Sequence, residues 1–376
     1  MFKRGLRIFV LILVLTLITP IIANAQVQFN SNVQEEEYTA DLQFFEDVLN
    51  LIKDNYPFEV DENELIITAV KSMLKSLDPY SDYYTKEEAD QQFGTLLISS
   101  FSGVGLYIED MDGYVNVVAP IKGQPAEKAG IKAGDLIIAV DDIDIKDMGV
   151  NKVSSMIKGP VGTKVKLTIK RGEETLDFEL TRATIEINPV HYEIMEGNIG
   201  YISLDEFSSN ATSEINKALR EFNRKGIKKI ILDLRDNLGG LLNEAISIGK
   251  LFVPKGPIVY VQDKEGDLTV YESNLRKTKY QLVVLVNERS ASASEILAGA
   301  IKDREAGVLV GTQTFGKALV QSLIPITDGS IIKLTTSVYL TPNKTLINEV
   351  GIEPDYIVEN DALEDLQLEK AIELLK

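Results

Sequence analysis

The chemistry-bearing residues of this chain gather around one serine and one lysine. Ser290-Ala291-Ser292-Ala293-Ser294-Glu295 follows an apolar, β-rich run, Gln281 to Val286, and opens a helical stretch from Glu295 to Asp303. A serine at a strand-to-helix turn is held rigidly at the positive end of a helix dipole, where an oxyanion is stabilised. The flanking Ala291 and Ala293 are small enough for a substrate backbone to come close. Ser292 and Glu295 also satisfy the Ser-x-x-Glu capping box, so a plain helix cap is the competing reading. Downstream, Lys317 stands in Thr314-Phe315-Gly316-Lys317-Ala318-Leu319-Val320-Gln321, among apolar residues and glycine. A lysine in an apolar pocket has its charged form destabilised, which lets the amine be neutral near pH 7 and deprotonate a serine. Gln321, four residues on, suits a third group that orients the amine. An ordinary surface lysine and a polar strand residue are the bland alternatives.

Composition removes most rival chemistries. Of 376 residues none is cysteine, none is tryptophan and one is histidine. That excludes disulfides, cysteine nucleophiles, thiolate zinc sites and iron–sulfur clusters. His191 alone cannot build a His-rich metal site. It follows Pro189 in a polar stretch with no carboxylate–serine pattern nearby, which argues against a catalytic role. The net charge of −18, from 39 basic and 57 acidic residues, disfavours nucleic acid and anionic membranes as partners. Asp141, Asp142 and Asp144 read as a solvated turn rather than a calcium loop. No cofactor and no metal is expected.

The elements that must position the serine and lysine begin with a targeting segment. Lys3, Arg4 and Arg7 precede an apolar run from Ile8 to Ile22, then Ala23-Asn24-Ala25. This is the order of a secretory signal peptide, assigned to residues 1–25, either cut before Gln26 or retained as an anchor. The mature chain is therefore expected outside the cytoplasm, in a periplasm-like cell envelope or secreted, with the N-terminus as the only membrane tether. Residues 26–98 read as a linker followed by helices. Phe44, Phe45, Val48, Leu49 and Ile52 form one helical stripe, and Leu65, Ile66, Ala69, Val70, Met73 and Leu74 a second. Ser76 to Ser81 ends the second helix, since Pro79 disfavours helical geometry at Asp78. Thr85 to Glu88 caps a third. The terminal stripes suit a homo-oligomer contact as well as burial within one subunit.

Residues 99–183 switch to short β-rich runs separated by glycine, proline and aspartate turns. Strands are expected at Val104–Ile108, Val115–Val118, Asp135–Val140 and Lys164–Arg171, with helices at Pro125–Gly130 and Val150–Lys158. Ser102-Gly103-Val104-Gly105-Leu106, together with Pro125 to Ile131 before Gly134-Asp135-Leu136-Ile137, resembles a PDZ domain in the circularly permuted form of bacterial proteases. Gly103, Val104, Gly105 and Leu106 then form the loop whose backbone N–H groups capture a peptide's C-terminal carboxylate, with β-augmentation alongside.

Residues 184–361 alternate helix and strand. Lys229–Leu234, Gln281–Val286 and Gly307–Gly311 read as buried strands, and Ile331–Tyr339 as an exposed-edge strand. A final amphipathic helix is expected over residues 362–376, with Leu363, Leu366, Ile372 and Leu375 on its apolar face.

The serine and lysine motifs, with Leu232-Asp233-Leu234-Arg235-Asp236-Asn237-Leu238-Gly239-Gly240, Leu77-Asp78-Pro79-Tyr80-Ser81 and Gly351-Ile352-Glu353-Pro354-Asp355, resemble the carboxy-terminal processing peptidases, the tail-specific S41 group. Lys317 stands 25 residues after Ser292, as the resemblance requires. Ala318, where glycine is frequent, and Leu238, where proline is, depart from the pattern. The resemblance implies an α+β multidomain chain: a ClpP/crotonase-like αβ serine protease core, a PDZ domain and an N-terminal helical cap. It implies a Ser-Lys endopeptidase with Ser292 as nucleophile, Lys317 as base and Gln321 as its orienter. The oxyanion donors would be Ala293 N–H and an N–H of the Gly239-Gly240 turn. Asp233, Arg235 and Asp236 would hold that turn by ion pairs. The implied substrates are extracytoplasmic proteins with unstructured C-termini, cleaved near those ends. A PDZ scaffold with an inactive protease domain is the alternative.

Overall fold

The computed structural model describes residues 42–98, 100–361 and 363–376. The expected signal segment and the linker lie outside the described residues. The described residues divide into two compact units, one ending at Ile67 and one running from Thr68 to Lys376. Helix α1 (Leu42–Asn55) carries the first predicted stripe, and its apolar residues are exposed, Leu42 at 88% and Leu51 at 63%. Helix α2 (Glu62–Lys75) follows; Asp61 accepts from the backbone N–H groups of Asn63 and Glu64 and opens it. No helix of the described residues is long and apolar enough to cross a membrane.

In the larger unit, Asp82–Tyr84 forms a strand, β1, that the sequence pattern did not announce. Helix α3 (Lys86–Ile98) starts with the expected reciprocal box: Glu88 N–H donates to Thr85 Oγ1, and Thr85 N–H to the Glu88 carboxylate. Strand β2 (Ser100–Gly103) leads into β3 (Leu106–Met111), β4 (Tyr114–Pro120), helix α4 (Pro125–Ala129), β5 (Leu136–Val140), β6 (Ile143–Asp144), helix α5 (Val150–Ile157), β7 (Lys164–Arg171), β8 (Glu174–Thr181) and β9 (Ala183–Glu186). Strands β3, β4, β5, β7 and β8 form one antiparallel sheet, with β6 on β5. Val165, Leu167 and Ile169 point inward from β7 onto Val115, Val117, Ile137, Val153 and Ile157, as the alternating pattern requires. The β5–β6 turn holds Asp141 and Asp142 at positive φ, with Lys166 paired to Asp142. No group of carboxylates among the described residues is arranged to hold a metal.

The remaining core alternates β10 (Val190–Met195), β11 (Ile199–Leu204), α6 (Ala211–Arg224), β12 (Lys229–Asp233), α7 (Leu242–Phe252), β13 (Gly256–Gln262), β14 (Leu268–Ser273), β15 (Gln281–Val286), α8 (Ala293–Asp303), β16 (Val308–Gly311), β17 (Leu319–Pro325), β18 (Ile331–Leu340), β19 (Tyr356–Ile357) and α9 (Leu366–Leu374). Strands β11, β12, β15, β16 and β19 run parallel, in that order. Both faces of this sheet are covered, which is why its strands read as continuous apolar runs. Ile230, Leu232, Val284 and Val286 face the core shared with α6, α7 and α8. Ile231, Val283 and Leu285 face Ala371 and Leu375 at the C-terminal helix.

Two expectations are corrected. Ile331–Tyr339 is not an edge strand: β18 pairs with β1, β13 and β17. Period-two alternation reports a half-buried face and says nothing about how many neighbours a strand has. The terminal helix starts at Leu366, with the Asp365 side chain accepting from Leu368 N–H; Leu363 lies before it, 93% exposed. Asp365 is committed to that cap and to Arg235, so the helix cannot extend further back.

Candidate active site

The Ser292 turn is built by its neighbours. Ser290 and Ser294 are fully buried and their hydroxyls donate to main-chain carbonyls, Ser290 Oγ to Leu234 at 2.7 Å and Ser294 Oγ to Asn237 at 2.9 Å. Ser292 alone of the three opens onto a cavity of about 340 Å³, where it meets Ala293, Gly240, Lys317, Gln321 and Tyr339. Its backbone sits at φ 55°, ψ −111°, a conformation that costs a non-glycine residue on the order of 1–3 kcal/mol. Helix α8 behind it is buried from Ala293 to Ile301, so the turn has little freedom to relax.

Glu295 supplies the restraint. Its fully buried carboxylate accepts from Ser292 N–H (2.9 Å), Thr314 Oγ1 (2.6 Å), Gly316 N–H (2.7 Å) and Lys317 N–H (2.9 Å). One side chain therefore ties the serine turn to the lysine loop. The capping box was the only sequence signal of this role, and it reports only the bond to Ser292. Tyr339, 1% exposed, adds a second tie: its hydroxyl donates to the Lys317 carbonyl (2.7 Å) and lies 3.1 Å from the Ser292 carbonyl. Burial holds that phenol well above its usual range, so it stays a donor. The lysine loop is pinned from outside as well, with Ile352 N–H donating to Thr314 Oγ1 and Glu349 N–H to the Gly316 carbonyl. This explains the Gly351-Ile352 motif: a Cβ at Gly351 would lie 2.2 Å from the Thr314 carbonyl. Ala318 is accommodated, fully buried in the core.

The Leu232 to Gly240 motif forms the opposite wall. Arg235 pairs with Asp233 at 2.6 Å and with Asp365 at 2.7 Å, and Tyr201 donates to Asp233. Asp236 lies exposed at positive φ and pairs with Arg289. These acids hold the turn, in keeping with the sequence reading. Asn237, fully buried, accepts from Gly239 N–H and donates to the Leu204 carbonyl. Gly239 N–H is thus occupied, and Gly240 and Ala293 present the amides that the described hydrogen bonds leave free. Gly239 has φ 108° and packs on the serine itself: an added Cβ would lie 2.8 Å from the Ala291 carbonyl and 2.9 Å from Ser292 Cβ. Gly239→Ala is therefore expected to push Ser292 out of its place in the cavity, read from the structure of the variant.

Lys317 is largely buried in the same cavity. Burial pushes its amine below the ordinary lysine range, and the Lys333 charge adds to the shift, while Asp78 and Glu295 act against it. The amine lies over the Tyr80 ring, 4.2 Å from its centroid. Among the described residues no hydrogen bond joins it to Ser292 or Gln321. The Gln321 amide donates instead to Thr335 Oγ1 at 3.1 Å. The structure thus gathers Ser292, Lys317 and Gln321 into one cavity but engages Gln321 elsewhere. His191 is outside the cavity; it is exposed and 3.1 Å from Asp205, a carboxylate partner the sequence pattern missed. Gly103, Val104, Gly105 and Leu106 line a separate groove of about 350 Å³ with Val150, Asn151 and Ser154 of α5.

Residues 198–358 match the model of peptidase family S41, residues 117–171 that of a PDZ domain, and residues 16–88 that of the activating protease CtpB N-terminal domain. The carboxy-terminal processing protease CtpA of Bacillus subtilis (strain 168) is 40% identical over 370 residues, 95% of this chain and 78% of the relative. A carboxy-terminal-processing protease of Bartonella bacilliformis is 37% identical over 84% of this chain and 74% of its own. Among solved structures, a photosystem II D1 C-terminal processing protease is 30% identical, covers 90% of this chain and 98% of its own, and superposes with a TM-score of 0.51.

Proposed function

The chain belongs to peptidase family S41, and from that premise we propose that it is a serine endopeptidase working through Ser292 and Lys317. The observation that carries the reading is a strained serine at a helix N-terminus, sharing a cavity with a desolvated lysine and two free backbone amides. Neutral Lys317 takes the Ser292 proton as Oγ attacks the peptide carbonyl. The oxyanion forms against Ala293 N–H and Gly240 N–H. The lysine then hands its proton to the leaving amine, and water, deprotonated in the same way, hydrolyses the acyl-enzyme. Gln321 orients the amine once the lysine turns toward Ser292. The substrates we assign are extracytoplasmic proteins with unstructured C-termini, on the strength of the basic, apolar, small-residue order of residues 1–25. The PDZ groove captures the terminal carboxylate and favours the active arrangement of the core.

A fluorophosphonate probe tests the nucleophile. It is expected to label Ser292, with a labelling rate that climbs as pH rises. The sign follows from the base: below its lowered pKa Lys317 is an ammonium and cannot accept the proton, so reactivity appears at lower pH than an ordinary lysine would allow. A pH-independent rate or label on another serine would contradict the assignment. For the groove, a peptide ending in a free carboxylate is expected to bind at least about tenfold tighter than its C-terminal amide, since the loop offers backbone donors to an anion. Titration by fluorescence anisotropy reads this; equal affinities would remove the carboxylate from the reading. A scaffold without catalysis finds its support in the missing Ser292–Lys317 bond; intact labelling at Ser292 separates the two.

A further inference from the structure

The resting place of the Lys317 amine is made by a turn far from it in the chain. Asp78 Oδ1 accepts from the Tyr80 and Ser81 N–H groups at 2.7 and 2.8 Å, and Asp78 Oδ2 accepts from Ser81 Oγ at 2.9 Å. Ser81, fully buried, in turn accepts from Thr335 N–H of β18 at 3.1 Å. The Oγ1 of that threonine receives the Gln321 amide. Strand β1 continues the attachment, with Asp82 opposite Lys333. The turn that carries Tyr80 is therefore fixed to β18, whereas Lys317 is a flexible four-carbon arm. Its amine lies 4.2 Å from the ring centroid. At that separation a ring face attracts an ammonium through its quadrupole and has no comparable hold on a neutral amine.

We propose that Tyr80 is a positioning residue for this reaction: its ring face holds the Lys317 ammonium off Ser292, and the amine leaves the ring for the serine once it has given up its proton. The proposal rests on the reading of Lys317 as the base. The other charges facing the amine are Lys333 of β18, which opposes an ammonium, and Asp78 and Glu295, which favour one. Glu206 lines the same cavity, its carboxyl raised by burial, whereas Tyr339 and Gln321 meet it without adding a charge. Tyr80 thus adds to the side that keeps the lysine protonated.

The test is the acid limb of the kcat/KM profile of the full chain. Tyr80→Leu keeps the pocket apolar and removes the ring face, so its inflection is expected about one pH unit lower than in the wild type. Tyr80→Phe keeps the face and restores the wild-type inflection, an outcome that a merely structural role would not distinguish in this way. Phenylalanines of increasing ring fluorination at position 80 keep the shape and weaken the face, and are expected to lower the inflection stepwise. This series decides the matter if Tyr80→Leu does not fold. An inflection unmoved or raised in the leucine and fluorinated variants overturns the proposal. Lys317→Ala is run alongside: if it stays active, the base assignment itself has failed; if it is inactive while the Tyr80 series is flat, only the role of Tyr80 has.

Discussion

Ser292→Ala and Lys317→Ala are each expected to lower kcat/KM by at least about 10⁴-fold, with thermal unfolding close to that of the parent. In the proposed mechanism, removing the hydroxyl removes the atom that would form the acyl-enzyme, and removing the amine leaves that hydroxyl with nothing to take its proton. If the two groups act as one device, the double variant should be no slower than either single one. Residual cleavage would reflect the Ala293 and Gly240 amides and substrate binding alone. The folding prediction has a structural basis: Ser292 Oγ and Lys317 Nζ open onto the cavity, whereas the bonds that hold their loops come from backbone atoms. A tailed substrate followed by mass spectrometry reads the result. Either variant retaining more than about a tenth of the activity would exclude the Ser-Lys mechanism.

The largest loss of both stability and activity from a residue that never touches substrate is expected at Glu295. Its carboxylate is the shared acceptor for Ser292 N–H, Thr314 Oγ1, Gly316 N–H and Lys317 N–H. Glu295→Ala strands four donors, two of them in fully buried bonds, each costing about 1–3 kcal/mol when left unpaired and buried, so a stability loss on the order of 3–5 kcal/mol is expected after local rearrangement. Glu295→Gln keeps the volume but turns an NH2 toward two of those donors, and should cost roughly half as much. In both variants the serine turn and the lysine loop lose their common anchor, and kcat should fall by about 100-fold or more. Urea unfolding and peptide cleavage measure the two effects. Near-parental values for Glu295→Gln would mean that Tyr339 and the Gly351 segment hold the loops without it.

Much of the catalytic region is legible because its signals are local. An apolar run, small residues and a Ser-x-x-Glu box mark the Ser292 turn between Gln281 and Glu295, and the structure builds that turn from those residues. The parallel strands are equally plain, since burial on both faces leaves no polar alternation to confuse them. The strands around the lysine were harder. β1 is three residues long, too short to display a period, and β17, Leu-Val-Gln-Ser-Leu-Ile-Pro, carries no alternation to display. The position of β18 within its sheet was misread because alternation is the same for a central and an edge strand.

The residues of the chain, taken in order, determine which hydroxyl and which amine are set apart: Ser292 by the helix it opens, Lys317 by the apolar neighbours that deny it water. Those are properties of short stretches, governed by backbone geometry and side-chain solvation. Only the folded chain decides that Asn237 occupies the Gly239 amide and leaves Gly240's, that Glu295 grips both loops, and that the amine lies on Tyr80. Each of these depends on groups brought together from distant parts of the chain, such as Ser81 and Thr335, 254 positions apart. Hydrogen bonds and ring contacts form between atoms that are close in space, and no local pattern records which distant partner arrives.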